Sequence, residues 1–195
     1  KGKDNYCFYN IIEKNNKGYK LLITIDNLNY EVDFPFYGKH MIYNLLASIT
    51  VYYLVNKELN NLQEKINSFR ILNRRMNEYY IYDNVIIDDY AHHPTEIKAL
   101  LSGLEQKYPD KELIVVFQPH TYSRTLSLAK AFVQCFGNYK TYIRNTFTSG
   151  REQYSKELED EVRKIFANYQ EYEINKIKKY EEKKKKVIVF VGAGD

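Results

Sequence analysis

The sequence has no tryptophan and only two cysteines in 195 residues. Cys7 and Cys135 lie far apart and form no CxxC pair, which argues against a disulfide framework or a structural zinc site. A reducing, cytoplasmic compartment is expected. Long apolar runs are also missing. Nothing approaches the roughly 18 residues of a membrane helix, so no membrane insertion is expected. No basic segment followed by an apolar one opens the chain, so no secretory leader is expected. Glycine is sparse, at eight positions. None of them completes a GxxxxGK[ST] phosphate loop or a GxGxxG fingerprint, and HExxH and GxSxG are absent too. The chain therefore has no motif of its own for holding ATP phosphates or a dinucleotide.

What is present is an ordinary globular composition, 44% apolar and 28% charged. The length fits one large domain or two small ones, with a core that needs no staples. The stretch from Lys176 to Lys186 holds seven lysines and two glutamates, a net +5. The whole chain carries +4, so the remainder sums to −1. One lysine run reads as a solvated helix end or loop, and no nucleic-acid partner is expected. The twenty tyrosines share no spacing and are not interleaved with arginines, so they do not make a base-stacking platform. The chain starts at Lys1 and stops at Asp195, and both ends are expected to be cuts in a longer protein.

Three alternating, β-rich segments at residues 6–12, 19–25 and 30–34 predict an antiparallel meander. Ile42, Leu45, Leu46, Ile49 and Tyr53 then recur at helical spacing, predicting a helix over 41–56, with a shorter one over 62–69. From about residue 76 the rhythm changes. Strands are predicted at 80–82, 84–87, 113–117, 139–147 and 187–191, alternating with helices after Pro94, around 126–136 and from Ser155. Apolar strands alternating with amphipathic helices predict an α/β domain with a mostly parallel, buried sheet. The boundary is expected near residue 75.

Two polar clusters stand where such strands end and helices begin. Asp88-Asp89-Tyr90-Ala91-His92-His93-Pro94-Thr95-Glu96 follows the strand of Val85 to Ile87. Pro94 suits the first helical position, and Glu96 the positive first turn. Gln118-Pro119-His120-Thr121-Tyr122-Ser123-Arg124-Thr125 follows the strand of Leu113 to Phe117. Ligands of open parallel sheets bind at the carboxyl ends of strands. If the two strands are neighbours, His92, His93, His120 and Arg124 face one crevice, where a guanidinium can pair with a carboxylate or phosphate. A metal site from Asp89, His92, His93 and His120 is disfavoured, because adjacent histidines do not easily chelate one ion. Arg70, Arg74 and Arg75 form a third group, which reads either as a polyphosphate contact or as a solvated helix end.

Together, DDYAHHPTEI (88–97) and FQPHTYSRT (117–125) resemble C-terminal signatures of the Mur ligase family. Gly38-Lys39-His40-Met41-Ile42-Tyr43-Asn44 is similar to that family's GxHNxxN, with Met41 in place of an asparagine. Residues 69–75 are similar to its FxGxxRR, with Ile71 and Asn73 in place of glycines. Residues 147–152 and 192–195 also fit. The FQPH loop matches the alanine-adding branch better than the murein-tripeptide branch. The resemblance implies a parent of three domains. Residues 1–75 would be the tail of its central ATP-binding domain, and 76–195 a Rossmann-like third domain. The implied chemistry is ATP-dependent amide formation in peptidoglycan precursor synthesis. The carboxylate of UDP-N-acetylmuramate becomes an acyl phosphate, which the amine of L-alanine attacks, with Mg2+ neutralising phosphate charge. The implied roles put Asn44, Arg75 and Asp89 on ATP, at its adenine, phosphates and ribose. Tyr90, His93 and Arg124 would contact substrate, Arg124 through the alanine carboxylate, and His92 and His120 would be catalytic. No residue is assigned to a metal. Without a phosphate loop, the chain by itself is expected to be inactive. The competing readings are a non-catalytic module for nucleotides or acidic metabolites, and a metal-dependent hydrolase on Asp89, His92 and His120.

Overall fold

A computed structural model describes residues 6–178 and 185–194. The chain divides into two compact units, Lys1–Ile71 with Ser102–Pro109, and Leu72–Leu101 with Asp110–Asp195.

The first unit opens with β1 (Cys7–Asn15), β2 (Gly18–Ile25) and β3 (Leu28–Phe34), a three-stranded antiparallel sheet in that order. Asp26 and Asn27 both have positive φ, 50° and 64°, between the paired Ile25 and Leu28. A two-residue hairpin turn demands this, and Asp and Asn tolerate it best after glycine. Gly18 ends the other turn at φ 125°, where a Cβ would sit 2.2 Å from the Phe34 carbonyl oxygen. Alternate residues of β2, namely Leu21, Ile23 and Ile25, are buried. Ile42, Ile49 and Tyr53 of α1 (Lys39–Asn56) join them in one core. α2 (Leu62–Ser68) adds Ile66. An apolar cavity of about 260 Å³ opens among Phe34, Phe36, Leu45, Tyr52, Leu59 and Phe69, with Asn44 also on its wall.

The second unit contains β4 (Asn77–Ile81), β5 (Asn84–Asp89), α3 (Pro94–Lys107, whose last turns belong to the first unit), β6 (Glu112–Phe117), α4 (Tyr122–Ser127) and α5 (Ala129–Phe136). It continues with β7 (Lys140–Ile143), α6 (Lys156–Ile165), β8 (Gln170–Glu171), α7 (Ile174–Lys178) and β9 (Lys186–Val191). The six strands are ordered β4-β5-β9-β6-β7-β8, all parallel except β4. The expected mostly parallel α/β sheet is therefore present. Phe117 packs on Phe132 and Phe136 of α5 at ring distances of 5.1 and 5.0 Å, and on Phe166 just past α6 at 5.9 Å. The other face buries Ile114, Val116, Tyr142 and Ile188, with Tyr172 and Phe190 packed against them. A sheet covered on both faces explains the unbroken apolar runs.

Several details differ from the sequence expectation. The ladder of β4 covers 77–81, and Tyr82 is a turn residue at φ 52°. β7 stops at Ile143, because the chain then turns to meet the loop after β6. The helix expected around 126–136 is two helices, broken at Leu128. β8 and α7 carry too little pattern to have been expected. Lys183 and Lys184 lie outside the described residues, but Lys186 corrects the reading of a solvated lysine run. It is buried at the start of β9, its Nζ paired with Glu112 and its N–H donating to Asn84 Oδ1 at 3.0 Å.

Candidate functional site

β5 and β6 both flank β9, with Asp89 and Phe117 each opposite Val191. The loops that follow them therefore leave the same sheet edge, two strands apart. Arg75, Tyr90, His92, His120 and Arg124 form one chain of contacts across that edge. The Arg75 and Arg74 guanidinium carbons sit 6.0 and 5.4 Å from the Tyr90 ring centre. Tyr90 meets His92 edge to face at 5.2 Å, and His92 meets His120 at 5.0 Å. Arg124 Nη1 lies 3.3 Å from His120 Nδ1.

The hydrogen bonds fix the proton on each imidazole. His92 Nδ1 lies 2.9 Å from the Tyr90 carbonyl oxygen, which can only accept. Nδ1 therefore carries the hydrogen, and neutral His92 keeps a lone pair on Nε2. A guanidinium can only donate, so His120 Nδ1 accepts and its proton sits on Nε2. One ring thus offers a base and the other a donor. His120 is only 6% exposed. Burial, then the charges of His92, Arg124 and Arg151, push its pKa below the ordinary histidine value. Arg124 has no carboxylate partner among the described residues, so its charge is available to an anion.

His93 is placed differently. It precedes α3, and its Nδ1 accepts from Thr95 N–H at 3.3 Å. This is a helix-capping bond, made by a ring instead of a hydroxyl. Glu96 bonds the N–H groups of His92 and His93 at 3.1 and 3.2 Å. Burial opposes its charge, but these bonds, His92 and Arg75 hold its pKa below the ordinary carboxylate range.

Asp88 and Asp89 point to opposite sheet faces, as strand alternation requires. Asp89 is 5% exposed, and its carboxylate accepts from Met76 and Ala91 N–H, both at 2.8 Å. Asp88 instead faces a cleft of about 380 Å³ beside Arg74, Gln118, Arg144, Phe190 and Gly192. Arg74 Nε is 3.4 Å from Asp88, and its Nη2 donates to the Gly192 carbonyl at 2.9 Å. Gly192 has φ 155°, and a Cβ there would come within 2.9 Å of Gln118 Cβ. Asn44 belongs to the first unit, exposed on α1.

Glu152 stands in the 147–152 motif, but the sequence assigned it no role. Its Oε2 accepts from Tyr122 N–H at 2.5 Å, and its Oε1 from Ser123 N–H at 3.2 Å and Ser123 Oγ at 2.5 Å. It stands 29 residues from Ser123, so no local pattern reveals the pairing. Arg144 was not singled out by the sequence, and Asp88, part of the first polar cluster, was given no role of its own, although both line the cleft. Among the described residues, no three His, Cys, Asp or Glu side chains group to hold a metal, and no helix is long and apolar enough to cross a membrane.

Residues 74–194 match the family model for the Mur ligase, glutamate ligase domain. The chain is 39% identical over 166 residues to UDP-N-acetylmuramate–L-alanine ligase of Leuconostoc mesenteroides, covering 83% of this chain and 37% of that protein. The protein of the same name from Ligilactobacillus salivarius is 38% identical over 169 residues, covering 86% and 38%. The chain thus spans less than two fifths of the length of these relatives. The crystal structure of UDP-N-acetylmuramate-alanine ligase MurC from Thermotoga maritima has the same fold, with a TM-score of 0.73 at 22% identity. That likeness covers 100% of this chain and 44% of that one. A domain match over most of the chain, carried on the sheet whose edge holds the histidine pair, settles the family: the chain belongs to the Mur ligases.

Proposed function

We propose that this chain is the C-terminal part of an ATP-dependent ligase joining L-alanine to the carboxylate of UDP-N-acetylmuramate. In this reading residues 1–75 end a central ATP-binding domain and 76–195 form the domain that receives the amino acid. The observation that carries it is the pairing of Arg124 with His120 beside His92. An incoming amino acid needs its carboxylate held and its amine left free and deprotonated. Arg124, without a carboxylate partner, fits the first need. The Nε2 lone pair of His92 fits the second, as a general base within the cluster. Nε2–H of His120 is a donor for the oxyanion that forms when the amine adds.

ATP, when bound, supplies the phosphoryl group that activates the muramoyl carboxylate. Arg75 is exposed and suits a phosphate, and Asn44 is exposed on the first unit, where it would meet adenine. Asp89 is assigned to the ribose, although its carboxylate already accepts two backbone bonds. Tyr90 and His93 would line the substrate path, Tyr90 being 38% exposed. Mg2+, when bound with ATP, would be held largely by the phosphates, since no three His, Cys, Asp or Glu side chains group to hold a metal among the described residues.

The test is an assay of the full-length protein for ADP release that requires both UDP-N-acetylmuramate and L-alanine. Alanine-dependent turnover is expected, with R124A raising the KM for alanine about a hundredfold while the KM for ATP stays within about twofold. Turnover without dependence on alanine would overturn the assignment. The 195-residue chain alone is expected to release no ADP.

A further inference from the structure

We propose that Glu152 is a positioning residue that holds the His120–Arg124 loop in its working shape, and so sets how well the site takes the amino acid. This rests on the functional reading above for its kinetic consequence, but not for its geometry.

Thr121 stands between the two residues to be placed. It has φ 62° and ψ 142°, a conformation that β-branched residues avoid. Such a backbone persists only where its surroundings over-determine it. The surroundings here come almost wholly from one segment, the loop after β7. Thr121 N–H donates to the Phe147 carbonyl at 2.9 Å, and Phe147 N–H donates to the Pro119 carbonyl at 2.8 Å. The His120 and Phe147 rings lie 5.8 Å apart. Farther along, Glu152 gathers Tyr122 N–H, Ser123 N–H and Ser123 Oγ onto one carboxylate. The loop is therefore gripped on both sides of the strained residue, by Phe147 before it and Glu152 after it.

The gripping segment is itself anchored. Thr146 N–H donates to Glu159 Oε2 at 3.2 Å, and Arg163 binds Glu159 Oε1 at 3.2 Å. Arg163 also reaches Asn145 Oδ1 and the Ile143 carbonyl. α6 thus fixes the loop after β7, and that loop fixes the loop after β6. Arg124 lies one helical turn beyond His120, so a twist at 121–123 would shift the guanidinium away from the imidazole it now meets at 3.3 Å.

Charge-assisted bonds to a carboxylate are the stronger kind. Removing Glu152 should free the first turn of α4 without emptying the core, because Thr125 still bonds the Thr121 carbonyl and Tyr122 stays buried. Two measurements test this. In the 195-residue chain, E152A should speed amide exchange at Tyr122 and Ser123 at least about tenfold, with core strands β5 and β6 unchanged. In the full-length protein, E152A should raise the KM for L-alanine at least about tenfold while the KM for ATP stays within about twofold. E152Q, which keeps an acceptor oxygen, should recover part of the loss. Adding T121G to E152Q should recover more, since glycine adopts that backbone without strain. Unchanged exchange at Tyr122 and Ser123 would overturn the proposal. So would a KM for alanine within about twofold of the parent, or equal rises for alanine and ATP. If exchange speeds as expected but the unmutated full-length protein shows no alanine-dependent turnover, the functional reading fails and the positioning role stands.

Discussion

Helix α1 is apolar at twelve of its 18 positions and strand β6 at five of its six, yet only the strand buries its apolar residues along its length. Leu113 to Phe117 are all buried, whereas α1 buries Ile42, Ile49 and Tyr53 and leaves Val51, Leu54 and Val55 exposed. β6 is an interior strand with aromatic packing on one face and Ile188 and Phe190 on the other. α1 has one sheet beneath it and nothing among the described residues of its unit above those exposed side chains. A helix with a wide apolar stripe ordinarily buries that stripe against a neighbour. The second unit therefore satisfies its own pattern, and the first does not. Polarity follows the same split. In the second unit it gathers at the carboxyl ends of strands, where the apolar runs stop and His92, His120 and Arg124 begin.

The largest expected effect is at the centre of the second unit. Phe117→Ala removes a ring that touches three others, and should cost about 3–5 kcal/mol. Urea unfolding read from the second unit would check it, and a loss under about 1 kcal/mol would break the contrast with α1. Next comes the thiol pair. Burial pushes the Cys135 pKa up to about 12, although Lys98 works the other way, while Cys7 is half-buried on β1. Cys7 should be alkylated at pH 8 at least about a hundredfold faster. Comparable rates would show that α5 opens readily.

Acid should weaken the second unit more modestly. His120 has its folded pKa depressed, so its contribution is complete above the unfolded value of about 6.5. It is lost as pH falls from there through the folded value. Glu96 and Glu152 are also depressed, so their contributions vanish at still lower pH, below the ordinary carboxylate value and through their folded ones. For Glu152 burial again opposes the charge, and Ser123, the Tyr122 and Ser123 amides and His120 outweigh it. The urea midpoint of the second unit should drop between pH 7.5 and pH 5, and His120→Phe should flatten the upper part of that drop. The smallest effect is expected at α1. Val55→Lys should change the stability of this chain by no more than about 0.5 kcal/mol, since the side chain is 76% exposed. A cost above 1 kcal/mol would mean that this surface is covered in solution.

The two histidine loops were legible because apolar strands punctuated by polar clusters mark strand ends from local pattern alone. That β9 separates β5 from β6 was not legible, since a strand a hundred residues on in the chain inserts between them. The different surroundings of Asp88 and Asp89 were also not legible in the sequence. Both end the same strand, and only the phase of the pleat against the sheet sends one into the cleft and the other into backbone bonds. His93 illustrates the opposite limit. Its neighbour Pro94 announced the helix start, but only the folded loop turned the ring into a cap.

The order of apolar and polar residues, by itself, determined the meander, the α/β unit after it and the two polar loops, and the motifs at 88–97 and 117–125 carried the family resemblance, because all of these depend on neighbours in the chain. Tertiary structure decided which loop residues meet. The tautomers of His92 and His120 follow from a carbonyl and a guanidinium brought within bonding distance. The strained Thr121 persists because Phe147 and Glu152, far along the chain, grip it from both sides. Such contacts depend on sheet order and strand phase, which no short stretch of sequence encodes.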